Sequence, residues 1–151
     1  MSAVQPHVPR ALVTDDVLRS RLREAGLRVT VGRVAVYSHL LNAHGPLRHG
    51  DLVDALDHLH LDQATVYRNL MDLTGAGLVN RTDLGDHTWR FEARGLEHSE
   101  GPHPHFVCTV CGDVKCLDEV QVSFTGHDGK VHDFGRPNLQ VQLRGTCDAC
   151  V

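Results

Sequence analysis

Cys108-Thr109-Val110-Cys111, followed by Gly112, and Cys147-Asp148-Ala149-Cys150 near the end of the sequence decide how the C-terminal half can be built. Two thiolates separated by two residues can bite one tetrahedral ion, and two such pairs complete a closed four-thiolate shell with no open position for substrate. The pairs stand 36 positions apart, further than in common zinc ribbons, so a folded unit must lie between them. A structural zinc on Cys108, Cys111, Cys147 and Cys150 would tie the end of the chain back onto its middle. Two disulfides are the alternative, but the sequence opens on no secretory signal and a fifth cysteine, Cys116, would be left over.

Composition sets the scale. With 151 residues, 41% of them hydrophobic, the chain can form one medium domain or two small ones, neither with a large core, and units of that size often rely on a metal staple. Met1 to Arg10 carry Pro6 and Pro9 and no apolar run, which predicts a flexible arm over residues 1–13 rather than a signal peptide or membrane span, on a cytoplasmic protein with reduced thiols. The net charge of −4 does not advertise nucleic-acid binding, and the 12 histidines hint at metals. Charge is unevenly placed, however. Arg10, Arg19, Arg21, Arg23, Arg28 and Arg33 face only Asp15, Asp16 and Glu24 over the same stretch, a modest basic patch, so any DNA contact must be local.

The first ninety residues show helical periodicity. Thr14 with Asp15 and Asp16 predicts a helix start, Leu18, Leu22 and Ala25 share its face, and Gly26 stops it. A second helix begins at Thr30, carries Val34, Tyr37 and Leu41 inward and ends before His44-Gly45-Pro46. A third runs from about Gly50 with Leu52, Leu56 and Leu59, and Asp62 caps a fourth that closes at Gly75-Ala76-Gly77. On the fourth, Val66, Leu70 and Leu73 face inward, leaving Thr65 and Arg68 outward and Tyr67 on the flank, where they could reach a major groove. Extended runs at 78–82 and 87–91, joined by Asp83-Leu84-Gly85-Asp86, predict a hairpin. Helices followed by a hairpin describe a winged helix, although periodicity alone also allows a plain helical domain.

Further on, Pro102 and Pro104 force an extended run in which His103 and His105 point to one side and Phe106 and Cys108 to the other. One strand can then serve two sites, and Cys116 on the following strand can join the histidines.

Ala64-Thr65-Val66-Tyr67-Arg68-Asn69-Leu70, preceded by Leu27-Arg28-Val29-Thr30-Val31-Gly32-Arg33 and followed by Gly77-Leu78-Val79, resembles the recognition-helix region of the ferric-uptake-regulator family. His103-Pro104-His105-Phe106-Val107-Cys108-Thr109-Val110-Cys111-Gly112 resembles the same family's His-x-His-x-x-Cys-x-x-Cys-Gly segment, and the match runs in order over residues 14–150. The resemblance implies an α+β protein: a winged-helix DNA-binding domain at 14–92, a hinge at 93–102, and a small α/β dimerisation domain at 103–151 stapled by zinc. Thr65, Tyr67 and Arg68, with Arg19 and Arg33, are the expected DNA contacts. The implied regulatory site adds Glu92, at the end of the wing, to His103 and His105, and closes with the residue five after the second cysteine, here Cys116. Members of the iron and manganese type usually carry a carboxylate there, and a thiolate moves the site toward softer ions, so zinc is the preferred metal, two per protomer. In this chain Pro102 and Pro104 stand where some members hold a further site. Pro46 replaces a histidine before the third helix, with His44 and His49 nearby, and Gly126, Asp128 and Gly129 interrupt the long helix expected between the last strands.

The expected function is zinc-responsive repression of zinc-uptake genes by a metal-loaded homodimer on palindromic operator DNA. An iron-, manganese- or peroxide-responsive regulator of the same family is the nearest rival. A thiol-redox switch through Cys116 and a zinc hydrolase using His103 and His105 come from other classes. The hydrolase lacks any catalytic motif near residues 102–111, and no enzyme activity is expected.

Overall fold

A computed structural model describes residues 13–94, 104–117, 120, 122–132 and 141–151. Four helices and a three-stranded sheet come first. Helix α1 (Asp15–Glu24) begins beside Thr14, but the Thr14 hydroxyl makes no capping bond; Asp15 and Asp16 supply negative charge to the first turn instead. Helix α2 (Val31–Asn42) is capped as its sequence predicts, with the Thr30 hydroxyl accepting from the Arg33 amide at 3.2 Å. Strand β1 (Leu47–Arg48) leads into α3 (His49–Ala55), where the Asp51 carboxylate accepts from the Arg48 amide at 2.9 Å. The expected third helix is thus short: a 3-10 turn (Asp57–Leu59) follows, and His60 adopts a left-handed φ of 52° that ends it. Asp62 then caps α4 (Gln63–Gly75), its carboxylate accepting from the Thr65 amide at 2.6 Å.

Strands β2 (Val79–Asp83) and β3 (Trp89–Ala93) form the wing, and β1 pairs with the outer edge of β3, giving the sheet order β1-β3-β2. The turn between them begins one residue later and ends two residues later than the sequence suggested. Asp83 accepts from the amides of Gly85 and His87, Asp86 accepts from the Thr88 amide, and His87 has φ 57°, so the chain cannot resume a strand before Trp89. Leu18, Leu22, Tyr37, Leu52, Val66, Leu70, Leu73 and Phe91 make one core from all four helices and the wing. Helix–turn–helix and hairpin are therefore one packed body.

The second sheet consists of β4 (His105–Cys108), β5 (Val114–Cys116) and β8 (Gln142–Gly145), in the order β5-β4-β8. Strand β5 is antiparallel to β4, and β8 is parallel to it. Between them β6 (Phe124–Thr125) and β7 (Val131–His132) form a small hairpin around Gly129, φ 72°. That hairpin occupies the stretch where Gly126, Asp128 and Gly129 interrupt the family's helix, and among the described residues no helix follows α4. No described helix is long and apolar enough to cross a membrane.

Candidate metal centres and DNA-reading surface

The pairing of β4 with β5 sorts the side chains of both strands onto two faces. His105 stands opposite Cys116 and Val107 opposite Val114, so these four share a face, while Phe106, Lys115 and Cys108 turn the other way. The cysteine pairs meet at the far end of β4. All four sulfurs of Cys108, Cys111, Cys147 and Cys150 lie within 4.8 Å of one another, with Cys111 Sγ and Cys147 Sγ 3.7 Å apart, and none of the five cysteines is in a disulfide. Tetrahedral zinc with bonds of about 2.3 Å puts its sulfurs roughly 3.8 Å apart, so this cluster fits a structural zinc site.

Local turns hold the cluster in shape. The Gly112 amide donates to the Cys108 carbonyl at 3.0 Å, the Cys150 amide to the Cys147 carbonyl at 2.8 Å, and Gly112 supplies the φ of 73° that the first knuckle needs. The amides of Val110 and Cys147 each point at Cys108 Sγ from 3.4 Å. Hydrogen bonds from the amides of Cys111, Cys147 and Val110 pull the Cys108 thiol down to about 6. Cys150 moves in the opposite direction, to about 12, because hydrogen bonding to the sulfurs of Cys147 and Cys111 holds its proton in place. Four sulfurs held this close together suit a bound cation.

On the opposite face, Glu92, His105 and Cys116 bring one oxygen, one nitrogen and one sulfur within 4.8 Å of each other. Glu92 comes from the last strand of the wing and His105 and Cys116 from the second sheet, so the cluster joins the two bodies. His105 Nε2 lies 3.2 Å from a Glu92 carboxylate oxygen, and their side chains are 12% and 17% exposed, sheltered enough for pairing to matter. The donor set fits a divalent ion of intermediate softness. His103, the other expected ligand, lies outside the described residues.

Further contacts seat the wing on that face. Leu84 packs with Val107 and Val114, the Gln142 side-chain amide donates to the Leu84 carbonyl at 3.1 Å, and the Cys116 amide donates to the His44 carbonyl at 3.3 Å. Sequence reasoning missed Leu84, Gln142 and His44 in this role. Alternation could have assigned Val107 and Val114 to one face, but nothing local says which loop covers it.

The expected DNA contacts divide. Tyr67 and Arg68 are exposed on α4, and the Arg68 guanidinium donates to the Thr65 hydroxyl at 3.2 Å, so these three form one surface patch. Arg33 does not belong to it. Its guanidinium pairs with Asp72 on α4, donates to the Arg28 carbonyl at 2.7 Å and is 12% exposed, which spends it on joining α2 to α4. Arg19 pairs with Asp15 one turn back on α1.

The sequence pattern of the Ferric uptake regulator family matches residues 24–134. The chain is 29% identical over 136 residues to the peroxide-responsive repressor PerR of Staphylococcus epidermidis, covering 85% of each. It is similar to the ferric uptake regulator of Pseudomonas aeruginosa with manganese, at 29% identity and a TM-score of 0.58, covering 85% of this chain and 97% of that one. A zinc uptake regulator complexed with zinc and DNA shares the fold at 20% identity and a TM-score of 0.55, covering 89% and 93%. The chain belongs to the ferric uptake regulator family, and with its clustered metal ligands and exposed helix–turn–helix it is a metal-responsive, DNA-binding regulator of transcription rather than an enzyme.

Proposed function

We propose that this regulator senses zinc, and that as a metal-loaded homodimer it represses zinc-uptake genes from palindromic operators. The observation that carries the reading is Cys116 beside Glu92 and His105. A thiolate in place of a carboxylate turns an oxygen-rich site into one that favours a softer ion, and with His103 the set would give zinc its four ligands. Glu92, His105 and Cys116 would hold the ion, which would supply the positive charge that their close approach needs. Residues 14–92 act as the DNA-binding unit and 103–151 as the dimerisation unit, with 93–102 as hinge. Closing the Glu92–His105–Cys116 cluster fixes the angle between the units, so that two α4 helices meet successive major grooves through Thr65, Tyr67 and Arg68.

The similarity to a peroxide-responsive repressor favours a second reading, in which the same site holds iron and responds to oxidation. One experiment separates them. Genomic fragments from the source organism are selected by the purified protein at high and low buffered zinc, with the four-cysteine site kept filled, and again with iron or manganese. An inverted repeat recovered only at high zinc supports the zinc sensor. Recovery only with iron, lost on adding peroxide, moves the assignment to the second reading, and recovery at both zinc levels removes zinc sensing.

A further inference from the structure

His49 is the first residue of α3, and its imidazole reaches across to the start of α4. Nε2 lies 2.9 Å from the Gln63 carbonyl oxygen. A carbonyl can only accept, so Nε2 carries the hydrogen and the tautomer is fixed by the contact. Gln63 is the first residue of α4, and in α-helical geometry its carbonyl also receives the amide of Tyr67, four residues on. The His49 ring meets the Tyr67 ring as well, edge to face, with centroids 5.7 Å apart and planes at 85°. One side chain thus grips both ends of the first turn of α4. Tyr67, 43% exposed, would otherwise have several rotamers open to it.

We propose that His49 is the positioning residue of the DNA-reading helix: its bond to Gln63 and its ring against Tyr67 hold the Tyr67 phenol in the single orientation that meets the operator. The inference rests on the reading above that Tyr67 contacts DNA, and makes that contact depend on a residue of the preceding helix. Asp62 already caps α4, so His49 is not needed for the helix to form; it selects the direction of one side chain. Because His49 belongs to neither cluster of metal ligands among the described residues, its loss should leave metal binding and phosphate attraction alone.

The test uses the zinc-loaded full chain at pH 8. Two duplexes of equal length serve as probes, one carrying the inverted repeat recovered by selection and one of random sequence. His49→Ala should weaken binding to the repeat about tenfold, the combined loss of one hydrogen bond and one aromatic contact, with random-duplex and zinc affinities unchanged. His49→Gln, which keeps a donor, and His49→Phe, which keeps a ring, should each recover part of the loss. In the Tyr67→Ala background, His49→Ala should cost nothing more. Additive losses, or an equal loss on the random duplex, would overturn the inference. If Tyr67→Ala itself binds the repeat like the parent protein, the Tyr67 contact is what fails, and the positioning role falls with it.

Discussion

Cys108 and Cys116 are thiols on neighbouring strands of one sheet, yet they face opposite ways and belong to different clusters. Cys108 is buried, receives backbone hydrogen bonds at its sulfur and sits among three other cysteines. Cys116 faces the wing beside a carboxylate and an imidazole. Cys108→Ser should therefore remove one zinc per chain and unfold the C-terminal sheet, seen as lost zinc stoichiometry and a lowered, broadened melt. Cys116→Ser should leave that melt in place and weaken the second zinc by more than about tenfold, since altering a group that merely touches a metal ligand already costs about 10- to 100-fold. Unchanged zinc-dependent DNA affinity in Cys116→Ser would remove Cys116 from the sensing site. Both thiols were legible in the sequence, because a two-residue bite and a two-residue strand alternation are local geometry. Arg33 was not, since the partner it finds, Asp72, is 39 positions away and reaches it only once α2 and α4 have packed.

At the scale of elements, the wing shows how a short hairpin is held rigid. Arg90 is 5% exposed, and its guanidinium makes two 2.8 Å bonds to the Asp86 carboxylate across the turn. The hydrogen bond to Arg90 holds the Asp86 carboxyl down to about 2, from an ordinary 3.8. A depressed carboxylate pKa contributes stability that is fully present above 3.8 and lost as the pH falls through 2. Asp86→Asn should accordingly lower the melting temperature at neutral pH, and the gap from the parent protein should close between pH 4 and pH 2. A gap that persists at pH 2 would mean that the turn, not the charge pair, was damaged. Helices α2 and α4 were readable from their caps and apolar spacing, and α1 from its apolar spacing and acidic first turn, signals that act within a few residues. Strand β1 was not readable, because two residues have no periodicity and Leu47 becomes a strand only by pairing with Phe91, 44 positions on.

For the whole molecule, the question is how tightly the wing and the second sheet are joined. Among the described residues the junction includes Leu84 against Val107 and Val114, the Gln142–Leu84 and Cys116–His44 hydrogen bonds, and the Glu92–His105 pair. Each of these hydrogen bonds contributes about 0.5–1.5 kcal/mol net, and the three half-shared apolar side chains a few kcal/mol together. Typical couplings between two ligands of about 1–3 kcal/mol are comparable, so metal can decide whether the junction holds. Gly45 gives a way to loosen it without touching a ligand. A Cβ placed there would stand 2.5 Å from the Val114 carbonyl oxygen and 3.4 Å from the Cys116 amide nitrogen, both backbone atoms that cannot swing aside. Gly45→Ala should push the loop before β1 off β5 while the helical core and the four-cysteine site stay intact. We expect weaker zinc binding at the Glu92–His105–Cys116 cluster, weaker operator binding by a similar factor at fixed zinc, and an unchanged structural zinc. Reciprocity adds a check: operator DNA should tighten zinc binding in the parent protein by the same factor by which zinc tightens operator binding. Zinc titrations with and without operator, run on both proteins with the four-cysteine site filled, measure every term. Gly45→Ala with parental zinc affinity would show that the junction takes no part in sensing.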